Sequence, residues 1–129
     1  RAAATLYGLE LLAADIQDTA SNCTRFVSLG VFPIDSSMPG RWKTSIVCQI
    51  DGSRPGSLYH ILAEFAEREV NLTKIESRPA RTGLGAYLFF LDMEGGAGDP
   101  QVLSELQAVE EKSIWFKNLG SYLKIDWQR

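Results

Sequence analysis

The residues best suited to bind a ligand form a short turn ahead of an amphipathic segment. Arg54, Pro55, Gly56 and Ser57 come directly before Leu58, where a helical pattern begins. The first turn of a helix has backbone N–H groups without partners in the helix, and the helix dipole adds about half a positive charge there. Glycine also lets a ligand approach the backbone closely. The turn therefore suits a carboxylate. An ordinary N-cap at Gly56 or Ser57 would have the same residues and is the alternative interpretation.

A second polar segment, NLTKIESRP at 71–79, has the length of a strand but an unusual face. Alternation places its charged residues on one side, and Ile75 is the strong core residue of the other side. Pro79 ends the segment because proline cannot donate to a ladder. Glu76 and Arg78 suit pairing with each other or across a seam between two chains, and an ordinary solvated face is the alternative.

Composition limits the classes of function. The 129 residues are 45% hydrophobic, enough for one core, and their formal charge of −3 provides no cationic field for nucleic acid. No apolar run approaches the roughly 20 residues that span a bilayer. Cys23 and Cys48 lack metal-ligand spacing, and the chain has one histidine. We therefore expect no nucleic acid, membrane, metal or cofactor as a partner, and reduced thiols in a cytoplasmic protein.

The first third of the chain is expected to be organised differently from the rest. Residues 1–17 carry an apolar stripe of helical period, formed by Leu6, Leu9, Leu12 and Ala13. The short polar residues of 18–24 predict a turn, and RFVSLGVF at 25–32 is typical of a strand. Prolines and short polar residues over 33–43 predict a linker. Because the chain starts in a helical pattern without Met, we interpret it as part of a larger protein.

From residue 44 onward the pattern predicts a βαββαβ unit. The predicted strands are 44–51, 71–78, 86–94 and 114–123, and the predicted helices are 57–69 and a helix with Asp99 as N-cap and Pro100 as its first residue. In this ferredoxin-like arrangement, right-handed crossovers place both helices on one face of a four-stranded antiparallel sheet. We therefore predict an α+β fold, preceded by a helix-turn-strand segment.

The two predicted helices each carry a stripe that should be buried. The stripes are Leu58, Ile61, Leu62, Phe65 and Ala66 in the first helix, and Val102, Leu103, Leu106 and Val109 in the second. Asn71, which follows the first helix, is the residue expected to relieve the left-handed or capping geometry at its end.

The segment GSLYHILAEFAEREVNLTKIESRP, followed by YLFFLDMEG and LGSY, resembles the regulatory ACT domain of the prephenate dehydratase family over roughly residues 44–124. The resemblance implies a phenylalanine site at a dimer interface, formed by a Gly-Ala-Leu-Val-like turn and a Glu-Ser-Arg-Pro strand end. The effector-binding residues implied here are Gly56, Ser57, Leu58, Tyr59, Asn71, Leu72, Glu76, Ser77, Arg78 and Pro79. Ser57 and Tyr59 replace the usual alanine and valine, which bears on affinity and effector preference.

The preceding segment, residues 2–30, is similar to the end of the catalytic domain in the same family. Thr24, Arg25 and Phe26 match its Thr-Arg-Phe motif. The resemblance implies that Thr24 gives a proton to the leaving hydroxyl of prephenate and that Arg25 helps to hold this anionic substrate, which is chemically reasonable. Without the resemblance, the sequence predicts only that Thr24 is a turn residue.

The resemblance also implies a domain organisation and a function. Residues 1–32 would end a catalytic domain, 33–43 would be a linker, and 44–129 would be a complete ACT domain. The parent enzyme would convert prephenate to phenylpyruvate, water and CO2, whereas this chain alone is expected to be inactive. Its own role would be to bind L-phenylalanine as a homodimer formed through ACT domains, with a higher oligomer left open.

Three other functions remain open from the sequence. Aromatic amino-acid hydroxylases share a similar Glu-Ser-Arg-Pro segment, so the chain could be the regulatory domain of a hydroxylase. A stand-alone module that senses amino acids would carry the same two elements. A purely structural dimerisation domain would assemble without any ligand.

Overall fold

The computed structural model describes residues 1–18, 24–32, 34–35, 37–80 and 87–125. The chain divides into two compact units, Arg1–Val31 and Phe32–Arg129. Several sequence predictions fall outside the described residues: the Cys23 thiol, most of the turn at 18–24, the turn at 81–85, and Ala86 at the start of the third predicted strand. None of the described helices is long and apolar enough to cross a bilayer.

The first unit contains one short helix, α1, which spans Ala2–Tyr7. Gly8 ends it in the left-handed conformation, with φ of 62°. The predicted helical stripe beyond this point and the predicted strand at 25–32 are therefore wrong, since neither segment is helical or extended in a ladder. A short helix or strand in water is stabilised by burying its apolar face, and none of the residues described in this unit is buried.

The second unit has the predicted order of elements. They are β1 (Arg41–Gln49), α2 (Ser57–Glu67), β2 (Leu72–Pro79), β3 (Tyr87–Glu94), α3 (Pro100–Glu111) and β4 (Trp115–Lys124). Strand β1 begins three residues before the predicted start at 44, so it includes the end of the predicted linker. Helix α3 begins as predicted, because the Asp99 carboxylate accepts a hydrogen bond from the Gln101 amide at 3.0 Å.

The four strands form one antiparallel sheet in the order β2-β3-β1-β4. One face of the sheet packs against both helices. The shared core consists of Ile46, Cys48, Ile50, Ile61, Phe65, Val70, Leu91, Met93, Val102, Leu106 and Val109. Because side chains of β1 and β3 meet side chains of α2 and α3 in this one cluster, the predicted ferredoxin-like fold is confirmed.

Both helical stripes differ from prediction in one position each. Ala66 and Leu103 are exposed, whereas Glu64 and Glu105 are buried. Glu64 lies three residues after Ile61, and Glu105 lies three residues after Val102, so both glutamates share the face of a buried residue one turn earlier. Glutamate is rarely buried, so these two carboxylates are exceptions to the usual pattern.

The end of α2 also differs in detail from prediction. The left-handed residue is Glu69, with φ of 56°, and Asn71 is not left-handed. The Asn71 side-chain amide instead donates to a carboxylate oxygen of Glu94 at 3.0 Å, while the Asn71 carbonyl accepts from the Glu94 amide at 2.9 Å. Asn71 therefore ties the start of β2 to the end of β3.

Candidate functional site

The first turn of α2 leaves its backbone amides open to a ligand. Gly56 is the N-cap, in the left-handed conformation with φ of 83°, and no side chain of the described residues caps the helix. A β-carbon placed on Gly56 would meet no atom within 4 Å, so the space above it is empty. Unpartnered amides and the positive end of the dipole make this turn suitable for a carboxylate.

The polar residues around this turn are engaged with one another and leave the amides free. The Ser57 hydroxyl donates to the Arg54 carbonyl at 3.0 Å. The Arg54 guanidinium lies 3.2 Å from Asp51, whose carboxylate also accepts from the amide and hydroxyl of Ser53. These hydrogen bonds from Ser53 hold the pKa of Asp51 below its usual value. Asp51 therefore neutralises Arg54 locally and fixes the loop that leads into α2.

The register of the sheet brings the end of β2 to the same end of the domain. Arg78 pairs with Leu88 on β3, and Leu88 pairs with Gln49 at the end of β1. The chain passes from Gln49 through a short loop to the start of α2 at Ser57. The two sequence elements predicted to form a site, the turn at Gly56 and the Glu-Ser-Arg-Pro strand end, thus lie at one end of the sheet.

The strand end divides its side chains between two faces. Ser77 pairs with Phe89, which packs against the core, and directly paired residues share a face, so Ser77 lies on the helix side. Pro79 lies two residues further along on the same side. Glu76 and Arg78 lie on the opposite face of the sheet. Only one half of the tetrapeptide therefore faces the side of the sheet on which α2 begins.

Glu76 is the centre of an ion-pair ladder on that opposite face. One carboxylate oxygen accepts from Arg78 Nε and Nη2 at 2.8 and 2.6 Å, and the other lies 2.9 Å from Lys74 Nζ. Hydrogen bonds from Lys74 and Arg78 hold the pKa of Glu76 below its usual value. The sequence predicted the pairing of Glu76 with Arg78 as one alternative, and the structure shows it with Lys74 as a third member.

Asn71 and Leu72 lie at the other end of β2. Leu72 pairs with Met93, and the strand from Leu72 to Arg78 spans about 20 Å. An irregularity between Leu72 and Lys74 shifts the register, so Leu72 packs against the core and does not share the face of Lys74. Within one chain, the ten predicted effector-binding residues therefore fall into two groups at opposite ends of the strand.

Three large side chains on the helix side of the domain, one each in α2, β2 and β3, are exposed. Tyr59, in the first turn of α2, is 69% exposed, and its ring meets that of His60 edge-on at 5.6 Å. Ile75 and Tyr87 are each 46% exposed, although Ile75 pairs with the buried Leu91. Among the strands of the described chain, β2 and β4 each have a neighbour on one edge only, and Ile75 lies on β2. An unpaired edge beside exposed apolar residues is typical of a surface that pairs with another chain.

The residues predicted to take part in catalysis lie in the first unit. Thr24, Arg25 and Phe26 are all exposed, in a segment without regular secondary structure. In the described part of the chain, no group of three or more His, Cys, Asp or Glu side chains is arranged to hold a metal ion.

Comparison with known proteins agrees with the fold of the second unit. The ACT domain family matches residues 44–111, which is more than half of the chain. The chain belongs to the ACT domain family. The match contains the turn at Gly56 and the strand end at Pro79, so both elements of the candidate site lie inside the ACT domain.

The relatives of this ACT domain chain include prephenate dehydratases. That of Mycolicibacterium vanbaalenii is 45% identical over 116 residues, covering 90% of this chain and 37% of the relative. That of Methanocaldococcus jannaschii is 40% identical over 121 residues, covering 93% of this chain and 43% of the relative. The predicted resemblance to prephenate dehydratase is confirmed, and the chain spans only these fractions of the relatives' length.

A solved structure has the same fold as this ACT domain. The crystal structure of prephenate dehydratase from Arthrobacter aurescens in complex with L-Phe is similar with a TM-score of 0.63 and 38% identity. The alignment covers 74% of this chain and 30% of that protein.

Sequence reasoning missed two buried carboxyl groups inside the ACT domain. Glu64 and Glu105 lie in the helix stripes, where charged residues are read as solvent-facing by default. A signal was present, since each glutamate falls three residues after a predicted core residue. The i, i+4 spacing of Glu64 and Arg68 on one helix also predicts their ion pair, whereas Lys112 reaches Glu64 only through the packing of α2 on α3.

Proposed function

We propose that the chain is the C-terminal portion of a prephenate dehydratase, which converts prephenate to phenylpyruvate, water and CO2, and that its ACT domain binds L-phenylalanine as an allosteric effector. In this proposal, residues 1–32 end the catalytic domain, 33–43 are the linker and 44–129 are the regulatory domain. The prephenate dehydratase relatives support the enzyme, and they favour it over a hydroxylase or a stand-alone sensor.

One observation carries the effector proposal. The uncapped, left-handed start of α2 at Gly56 lies at the same end of the sheet as Ser77 and Pro79, with empty space above the glycine. A free amino acid has a carboxylate, which the amides of the first turn would bind. The L-Phe complex of the Arthrobacter aurescens relative supports phenylalanine as the ligand.

The site would be completed by a second copy of the chain. Antiparallel pairing of β2 with its symmetry mate about a two-fold axis would extend the sheet and cover Ile75 and Tyr87. The same pairing would bring the partner's Asn71 and Leu72 alongside Arg78 and Pro79. Predicted effector-binding residues that lie about 20 Å apart in one chain would therefore form one site in a dimer.

Regulation would follow from differential affinity. A ligand shifts an equilibrium only if it binds one state more tightly than the other. Phenylalanine held between the α2 turn of one chain and the β2 start of the other would favour the state in which two ACT domains are paired. In the full enzyme that state would be the inhibited one.

The proposal also places the protein in the cytoplasm. Cys48 is a free, buried thiol, and burial raises its pKa to about 11. A protonated thiol that forms no disulfide with any described residue suits a reducing compartment.

Isothermal titration calorimetry tests the effector proposal, with sedimentation velocity run on the same samples. We expect one L-phenylalanine per chain and a dimer that becomes tighter in its presence. A dimer that binds no L-phenylalanine would support the purely structural alternative. A chain that stays monomeric and binds no ligand would contradict the proposal as a whole.

A further inference from the structure

The seam between α2 and α3 contains two buried carboxyl groups. Glu105 is 0% exposed and Glu64 is 6% exposed, and each follows a core residue of its own helix by three positions. Within the described part of the chain, neither carboxyl oxygen of Glu105 has a hydrogen-bond partner. A buried carboxyl without a partner strongly disfavours its charged form, because the lost hydration is not replaced.

The cations of the seam are distributed unequally between these two groups. Arg68 Nη1 lies 2.5 Å from one oxygen of Glu64, and Lys112 Nζ contacts the other. Arg68 Nε also donates to the hydroxyl of Ser104 at 3.0 Å, so its guanidinium already touches α3 next to Glu105. Glu64 therefore holds both cations, and hydrogen bonds from Lys112 and Arg68 keep its pKa below the usual value.

Charged groups face Glu105 from α2 and from the end of α3. Helix α2 presents Glu64 and Arg68, and Lys112 follows the end of α3. The sheet beneath α3 contributes one titratable group among the described residues, the Cys48 thiol, which is protonated at neutral pH. Burial raises the pKa of Glu105 to about 7, the charge of Glu64 raises it as well, and Arg68 and Lys112 oppose the shift.

We propose that the α2–α3 seam is a proton-operated switch, in which neutral Glu105 permits the packing seen here and ionised Glu105 competes with Glu64 for Arg68. The competition is short-range, because the guanidinium bridges from Glu64 to the residue next to Glu105. Loss of the proton leaves a buried negative charge that must either capture Arg68 or reach water, and both routes change how α2 lies on α3. This inference needs no ligand and stands apart from the proposed function.

The raised pKa of Glu105 makes the free energy of unfolding fall as the pH rises. The unfolded chain releases the Glu105 proton near its ordinary value of 4.5, and the folded chain releases it near 7. Between these values the unfolded state binds fewer protons, so raising the pH favours unfolding. The stabilising neutral form is fully present below about 4.5 and is lost as the pH rises through about 7.

Denaturant unfolding of the wild-type chain and of Glu105→Gln between pH 5 and 8 tests the switch. Gln is the uncharged analogue, so the ratio of the wild-type to the Glu105→Gln unfolding constant should rise about tenfold per pH unit up to pH 7 and then level off. Glu110→Gln, an exposed carboxylate on the same helix, is the matched control and should follow the wild type.

Side-chain carboxyl 13C NMR of the full chain gives a direct second reading. We expect one glutamate to titrate near pH 7, to vanish in Glu105→Gln or Glu105→Leu, and to move to higher pH in Arg68→Ala. Amide exchange is base-catalysed in every variant, so the protection factor is compared: in α2 and α3 it should fall above that pH in the wild type and stay constant in Glu105→Gln. Titration of Glu105 below pH 5, or exchange in both helices that does not respond to its ionisation, would overturn the proposal.

Discussion

The amide of Val70 donates to the carbonyl of Phe65 at 3.0 Å, and this bond closes the last turn of α2 around Glu69. The Glu69 amide donates to the Ala66 carbonyl at 3.3 Å, which completes a Schellman motif. The motif directs the chain from α2 into β2, so it sets the position at which the polar strand begins. Its left-handed position is occupied by glutamate, although glycine adopts that conformation at much lower cost.

Replacing Glu69 with glycine should therefore stabilise the domain. We expect Glu69→Gly to raise the free energy of unfolding by about 1 kcal/mol, because the left-handed conformation costs a residue with a side chain about 1–2 kcal/mol. Urea denaturation measures the change. Glu67→Gly removes the same charge from inside α2 and should lower stability by about 0.5–1 kcal/mol. Stabilisation by both variants would point to charge and contradict the backbone explanation.

A charge at the exposed edge of the sheet should prevent dimer formation. Ile75→Asp places a carboxylate at a 46% exposed position beside the unpaired edge of β2, and burying it against a partner would cost several kcal/mol. Sedimentation equilibrium should show at least a hundredfold weaker dimer. Leu103→Asp, on α3 and 51% exposed, is the matched control and should dimerise like the wild type. Equal weakening by the two variants would place the interface elsewhere.

The isolated chain should not turn over prephenate. Thr24, Arg25 and Phe26 are exposed in a unit without any buried residue among those described, so water reaches all three side chains, whereas a catalytic site holds its groups in a protected, fixed geometry. Formation of phenylpyruvate, followed by its ultraviolet absorbance, should equal the uncatalysed rate and should not change in Thr24→Ala. Turnover above background that Thr24→Ala removes would contradict this expectation.

The sequence predicted the second unit well because its signals are local. The stripe that contains Ile61 and Phe65, the Asp99–Pro100 start of α3 and the alternation around Ile46 each depend on residues a few positions apart. The first unit was predicted badly for the opposite reason. Leu9 and Leu12 follow a helical period, but a periodic apolar face specifies structure only where another surface buries it.

The candidate site was predictable in its members but not in its geometry. Alternation already placed Glu76 and Ser77 on opposite faces of the strand, and the register adds that the face of Ser77 is the one that packs against the helices. The bulge near Leu72 reverses the face that simple alternation assigns to that residue. The spacing of Glu105 from Val102 places it on the buried face of α3, but its lack of a hydrogen-bond partner among the described residues depends on the packing of α3 against α2.

The most direct test of the account is L-phenylalanine binding to Gly56→Asp, measured by calorimetry. The new carboxylate would cap the first-turn amides of α2 and repel the carboxylate of the ligand, at a cost of about 1.5–3 kcal/mol, or roughly 10- to 100-fold in Kd. Gly8→Asp is the matched control, since Gly8 is also left-handed with no atom within 4 Å of an added β-carbon. We expect weakened binding in Gly56→Asp and unchanged binding in Gly8→Asp. Wild-type affinity in a folded Gly56→Asp chain would contradict it.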